Sequence, residues 1–70
     1  MKTGTKVRVS QGDESILGEI VLSNESGSSL AVKLNGLLAG HVGFMAVNRA
    51  ADGIYYAVVN GDPVEIEVIP

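Results

Sequence analysis

The chain has 70 residues, five of them basic and eight acidic, with a formal net charge of −3 and no cysteine or tryptophan. One small domain covering residues 1–70 is all this length allows. Without cysteine there is no disulfide framework, no thiolate metal site and no cysteine nucleophile. No apolar run approaches the roughly 18 residues of a membrane span, and at 46% hydrophobic residues the chain is too apolar for disorder. Met1 to Lys6 leads into no apolar signal-peptide core, so a cytoplasmic location is expected.

The chain reads as strands. Val occurs ten times and Ile five, against a single Phe. Val and Ile are stiff at the first side-chain torsion and favour a pleated sheet. No segment shows helical apolar spacing over three turns. Lys6 to Ser10 alternates, with Val7 and Val9 inward and Lys6 and Arg8 in water. Gln11-Gly12-Asp13-Glu14 is a turn. Ser15 to Ser23 is a second strand, with Ile16, Gly18, Ile20 and Leu22 on one face. Asn24 to Ser28 is a polar loop. Leu30, Val32 and Leu34 then alternate with Ala31 and Lys33, so the second and third strands form a hairpin. Asn35-Gly36 is a turn signal. Leu37 to Gly40 is either a tight loop with a buried Leu or more strand. His41 to Asn48 reads as a fourth strand and Ile54 to Val59 as a fifth, joined through Asp52-Gly53. Pro63 cannot donate to a ladder and opens the last strand, in which Val64, Ile66 and Val68 face inward.

Five or six strands with short connections predict an antiparallel meander that curls on itself to cover its apolar face. The expected fold is all-β, an SH3-like small barrel. An OB-like barrel is the second choice, since no helix is visible between the third and fourth strands. In the SH3-like arrangement the first and last strands pair, which sets Lys6 and Arg8 beside Glu65 and Glu67. Such cross-strand pairs contribute a few tenths to about 1 kcal/mol.

Two segments break the alternation. Val42 to Val47 and Ile54 to Val59 are apolar at both parities, and strands of that kind are usually covered on both faces. A barrel of this size has one interior. If Ile54, Tyr56 and Val58 face it, then Tyr55, Ala57 and Val59 face out. The expected function is therefore a non-catalytic protein–protein interaction or self-assembly module, with Phe44, Met45, Tyr55, Ala57 and Val59 as candidate interface residues and another protein or a second copy as partner.

Little catalytic chemistry is visible. His41 is the only histidine, so one chain has no two-histidine metal site. Asp13, Glu14, Asp52 and Asp62 lie in turns, where acids bond their own backbone. The loop at 11–14 lacks the alternating ligands of a calcium loop. None of the six serines sits in a nucleophile elbow. No metal, cofactor or enzymatic activity is expected.

Gly4-Thr5-Lys6-Val7-Arg8-Val9, then Gly12 and Gly18-Glu19-Ile20-Val21, resembles the opening of KOW-type and other SH3-like domains over residues 4–22. That resemblance implies an RNA- or ribosome-associated module, with Lys6, Arg8, Lys33 and Arg49 as contacts and His41 as a further ligand contact. Against it, no base lies between Arg8 and Lys33, and a phosphate-tracking surface needs several on one face. The same opening looks like the trimethoprim-insensitive dihydrofolate reductases, whose active pore lies on the symmetry axis of a tetramer. Their Val-Gln-Ile-Tyr signature has no counterpart, because Ile54-Tyr55-Tyr56 lacks the Gln. By composition alone the chain is also similar to bacteriophage decoration proteins, which makes a virion component the alternative location.

Overall fold

A computed structural model describes all 70 residues. It contains six strands and no helix: β1 (Lys6–Gln11), β2 (Glu14–Ser23), β3 (Ser29–Leu34), β4 (Phe44–Arg49), β5 (Tyr55–Ala57) and β6 (Pro63–Val68). Each strand pairs antiparallel with the next. β6 returns to β1, placing Arg8 opposite Glu67 and Val9 opposite Ile66, so the barrel is closed. This is the small SH3-like barrel that the alternation predicts.

β2 makes the closure possible. Its first half pairs with β1 and its second half with β3, and Gly18 belongs to both ladders, opposite Val7 on one side and Leu34 on the other. A Cβ on Gly18 would lie 2.8 Å from the Lys33 carbonyl oxygen and 2.9 Å from Val32 Cγ1. Only glycine lets the two backbones come this close.

Eleven apolar residues fill the interior, contributed by every strand and by Leu38. Val7, Val9, Ile20, Val32 and Leu38 are wholly buried. Fully burying a side chain of this kind stabilises by about 1.5–3 kcal/mol. Leu38 settles the ambiguous segment, which is a tight loop with a buried Leu. Its N–H donates to the His41 carbonyl and the His41 N–H donates back, at 2.9 and 2.7 Å. Ala39 and Gly40 between them both have positive φ, 47° and 87°, the conformation of a two-residue primed hairpin turn.

Several expectations need correction. The fourth strand begins at Phe44, because His41 is held in the bridge to Leu38. The fifth strand has only three residues. The chain turns after Ala57, whose carbonyl accepts from the Gly61 N–H at 2.8 Å. Leu22 is 69% exposed rather than inward, since a bulge between Ile20 and Leu22 shifts the parity of β2 by one residue. Val68 is also exposed, near the end of the chain. Gln11 belongs to β1 rather than to a turn, and its side chain is buried.

Candidate functional site

The register decides which side chains share an outer surface. Leu30, Val32 and Leu34 point inward on β3, so Ala31 and Lys33 point outward. Met45 lies opposite Val32, and Val47 opposite Leu30, so both point inward on β4. Phe44, Ala46 and Asn48 therefore point outward.

Met45 is thus a core residue, 2% exposed, and Ala57 opposite Val47 is buried to the same degree. Neither belongs to a surface. The parity of the fifth strand is the reverse of the one that assigned Ala57 outward: Tyr55 and Ala57 face in, while Val58 is exposed. Tyr55 is half-buried against the core. Its hydroxyl donates to the Gly27 carbonyl at 3.1 Å, tying β5 to the β2–β3 loop. Of the five expected interface residues, Phe44 (68% exposed) and Val59 (78%) are surface residues.

Other residues complete an apolar surface around Phe44. Leu22 lies opposite Ala31, and Ala31 opposite Ala46. The Val58 N–H donates to the Ala46 carbonyl at 3.0 Å, which continues the row past the end of β5. Leu22, Ala31, Ala46 and Val58 form an uncharged row across the outside of the barrel from β2 to the end of β5. The two alanines make its centre low, and a depression of about 350 Å³ lies over them beside Leu22.

The rows on either side carry charged or polar groups, with Phe44 at the end of one of them. On one side Lys6, Glu19, Lys33 and Phe44 follow one another across β1 to β4. On the other, Ser29 donates to Asn48 Oδ1 at 2.9 Å, and Asn48 lies opposite Tyr56. The Tyr56 hydroxyl donates to Asp52 Oδ2 at 3.0 Å. That hydrogen bond pushes the Tyr56 phenol above its ordinary range.

Alternation without the bulge would leave Leu22 inward and hide the row. Ala31 and Ala46 carried too little apolar surface to stand out. The signal available in the sequence was the apolar content of 42–47 at both parities, which the register resolves into Met45 and Val47 inward and Phe44 and Ala46 outward.

The basic residues do not gather into one patch. Lys6 is hydrogen-bonded to Glu19 on β2, not to Glu65 or Glu67. That bond, and after it the Lys6 charge, hold the Glu19 carboxyl below the usual carboxylate range. Arg8 pairs with Glu67 at 3.8 Å, as the β1–β6 pairing predicts. Lys33 stands beside Glu19 on the neighbouring strand. Arg49 donates to the Ser26 carbonyl at 3.3 Å, with its guanidinium 5.9 Å from the centre of the Tyr55 ring. His41 Nε2 lies 3.3 Å from Asn60 Nδ2. No group of three His, Cys, Asp or Glu side chains is close enough to hold a metal ion, and no helix is long and apolar enough to cross a membrane.

Comparison of the chain with protein-family models, with curated proteins and with solved structures gave no match.

Proposed function

We propose that this domain is a non-catalytic assembly module that pairs with a second copy of itself through the outer face of β2 to β5. The observation behind this reading is the row Leu22, Ala31, Ala46 and Val58, with Phe44 beside it. A barrel of this kind has no second core for that face to cover, and contiguous apolar surface of this sort marks interaction sites. The row carries no charge, so apposing it with another copy of itself leaves no buried ion without a partner.

A standard interface takes about 800 Å² from each partner, close to a fifth of the 4324 Å² surface of this domain. The apolar row supplies the centre of such a patch. The Ser29–Asn48 and Lys33 rows supply a polar rim, which is the usual anatomy. The four exposed side chains, Leu22, Phe44, Ala46 and Val58, gaining about 1 kcal/mol each, must overcome an association cost of at least about 4 kcal/mol. The expected complex is weak and depends on concentration.

Sedimentation equilibrium over a wide concentration range, at low and high salt, tests the reading. Apolar association should persist or strengthen in high salt, whereas binding through phosphates would weaken steeply. Ala46→Glu places a charge at the centre of the row and should weaken association by about tenfold or more, equivalent to ~1.4 kcal/mol. A monomer at millimolar concentration overturns self-association, as does an Ala46→Glu variant that associates as well as the parent.

A further inference from the structure

A second surface lies where β5 and β6 part. The two strands share only the pairs Tyr55–Val64 and Tyr56–Pro63. Before Tyr55 the chain is drawn back toward β4. The Ala50 N–H donates to the Ile54 carbonyl and the Gly53 N–H to the Ala50 carbonyl, both at 2.9 Å, and the Ile54 N–H donates to Asp52 Oδ1 at 2.9 Å. β6 continues past this point to Val68 with no strand beside it on the β5 side. A depression of about 350 Å³ occupies the cleft, with Gly53, Ile54 and Tyr55 on one side and Glu65, Ile66 and Glu67 on the other.

The ladder bonds decide which backbone groups of β6 point into that cleft. On the β1 side the Ile69 N–H donates to the Lys6 carbonyl at 2.9 Å. Residues that exchange bonds across an antiparallel pair alternate with residues that do not. Glu67 opposite Arg8 and Glu65 opposite Ser10 are therefore the next to bond β1, and Val64, Ile66 and Val68 direct their N–H and C=O groups the other way. On that other side the Ala57 N–H donates to the Asp62 carbonyl at 2.9 Å, which puts Val64 in place to bond Tyr55. There the ladder stops. The Ile66 and Val68 backbone groups have no strand opposite them and take part in none of the loop bonds of the molecule. Val68 is also 52% exposed. A row of free N–H and C=O groups on a strand edge is a template for another strand.

We propose that this edge of β6 takes up an extended peptide segment as an added strand, one in which apolar residues alternate with lysine or arginine. The apolar residues stand opposite Ile66 and Val68 and exchange backbone bonds with them. The basic residues between them stand on the outer face beside Glu65 and Glu67. The other edge of β6 already holds a strand of this pattern: Val9 and Val7 of β1 lie opposite Ile66 and Val68, and Arg8 lies opposite Glu67 and pairs with it at 3.8 Å. Glu65 faces Ser10 and belongs to neither ion pair of the molecule. A second copy of β6 does not suit this edge, because it would set Glu67 against another Glu67 or Glu65, and like charges directly opposite destabilise a strand pair. In recognition of this kind the main chain gives affinity and the alternate side chains give specificity. The edge shares no residue with the apolar row, so it stands or falls independently of the assembly reading.

The test is a titration of the ¹⁵N-labelled full chain with acetyl-Val-Lys-Val-Lys-Val-amide, read by amide shifts and amide hydrogen exchange. In the free protein the Ile66 and Val68 amides should exchange fast and the Glu65 and Glu67 amides slowly. Saturating peptide should shift the Ile66 and Val68 amides and slow their exchange. The acidic peptide acetyl-Val-Glu-Val-Glu-Val-amide should bind at least several-fold more weakly, because its charges meet Glu65 and Glu67. N-methylation of the central valine removes an N–H that faces β6 and should abolish binding. N-methylation of a lysine, whose N–H faces away, should leave it. Val68→Pro removes a donor from the open edge and none from the β1 ladder, and should weaken binding several-fold while the spectrum stays dispersed. If Val68→Pro fails to fold, the surface variant Glu65→Lys decides, with an expected loss of several-fold. The proposal is overturned by slow exchange at Ile66 and Val68 in the dilute free protein, or by protection there that rises with protein concentration alone, which would make a second copy the occupant. It is equally overturned by an absence of saturation at millimolar peptide, by the acidic or the N-methyl-valine peptide binding as well as the parent, or by binding that survives Val68→Pro or Glu65→Lys unchanged.

Discussion

The two halves of the barrel wall use one alternation in opposite ways. On β6, β1 and the first half of β2, outward positions hold Glu67, Arg8, Lys6 and Glu19, and the two ion pairs of the protein lie among them. From the second half of β2 through β5, one outward row holds Leu22, Ala31, Ala46 and Val58 with no charge, and Lys33 and Asn48 lie outward on either side of it. Both halves share one interior, so the interior cannot explain the difference. The charged half is finished as a water-facing surface, whereas the apolar half has a composition that stability of the monomer does not require.

The sharpest way to break this contrast is to compare neighbours on β4. Met45 points into the core and Phe44 away from it. Met45→Ala should cost about 2–5 kcal/mol, through lost transfer energy and the cavity left behind. Phe44→Ala should change monomer stability by less than about 0.5 kcal/mol while weakening association. Urea denaturation of both variants at low concentration, where the monomer dominates, reads the first effect, and sedimentation reads the second. If Phe44→Ala destabilised the monomer as much as Met45→Ala, Phe44 would be core and the apolar face would lose its flank.

That pair of residues also shows what the sequence makes legible. Period-two alternation is enough to place Val7, Val9, Val32 and Leu34 inside, and with them the strand order and the β1–β6 closure. It fails where both parities are apolar, because hydrophobicity then no longer says which side is in. For Met45 and Ala57 the answer comes from cross-strand register, opposite Val32 and Val47, and register depends on long-range pairing that one strand does not encode. Leu22 is hidden for a related reason: a one-residue bulge reverses every inward and outward assignment beyond it. Gln11 reads as a turn residue because a polar side chain before Gly12 resembles a loop. Only the barrel shows that it continues the inward line of Val7 and Val9.

A smaller effect is expected at the hairpin that brings the chain from β3 to β4. Ala39 is the only non-glycine residue with positive φ. A side chain in that left-handed conformation costs roughly 1–2 kcal/mol, and the pairing of Leu38 with His41 maintains it. Ala39→Gly relieves the strain but frees the unfolded chain, which takes back about 0.5–1 kcal/mol. A net gain of about 0.5 kcal/mol is expected, read as a higher urea midpoint with unchanged slope. A loss of stability would mean that the Ala39 methyl makes contacts worth more than its strain.

The smallest expected effect lies where the two halves meet. Glu19 stands between Lys6 of the charged half and Lys33 of the apolar half. Its carboxyl is held below its ordinary value of 4.5, first by the Lys6 hydrogen bond and then by the Lys6 charge. A carboxyl whose folded value is depressed stabilises the fold above its unfolded value, and that contribution is lost as pH falls through the lower, folded value. The pair is exposed, so screening keeps its contribution small. The titration itself is still measurable from the Glu19 side-chain carboxyl carbon. Lys6→Met should return Glu19 most of the way to the ordinary range, because Lys33 contributes less than Lys6 to the shift. It should leave association through Leu22, Ala31, Ala46 and Val58 unchanged. If Lys6→Met also weakened association, the Lys6–Glu19 pair would belong to the interface, and the boundary between the charged and apolar halves would have to move toward β1.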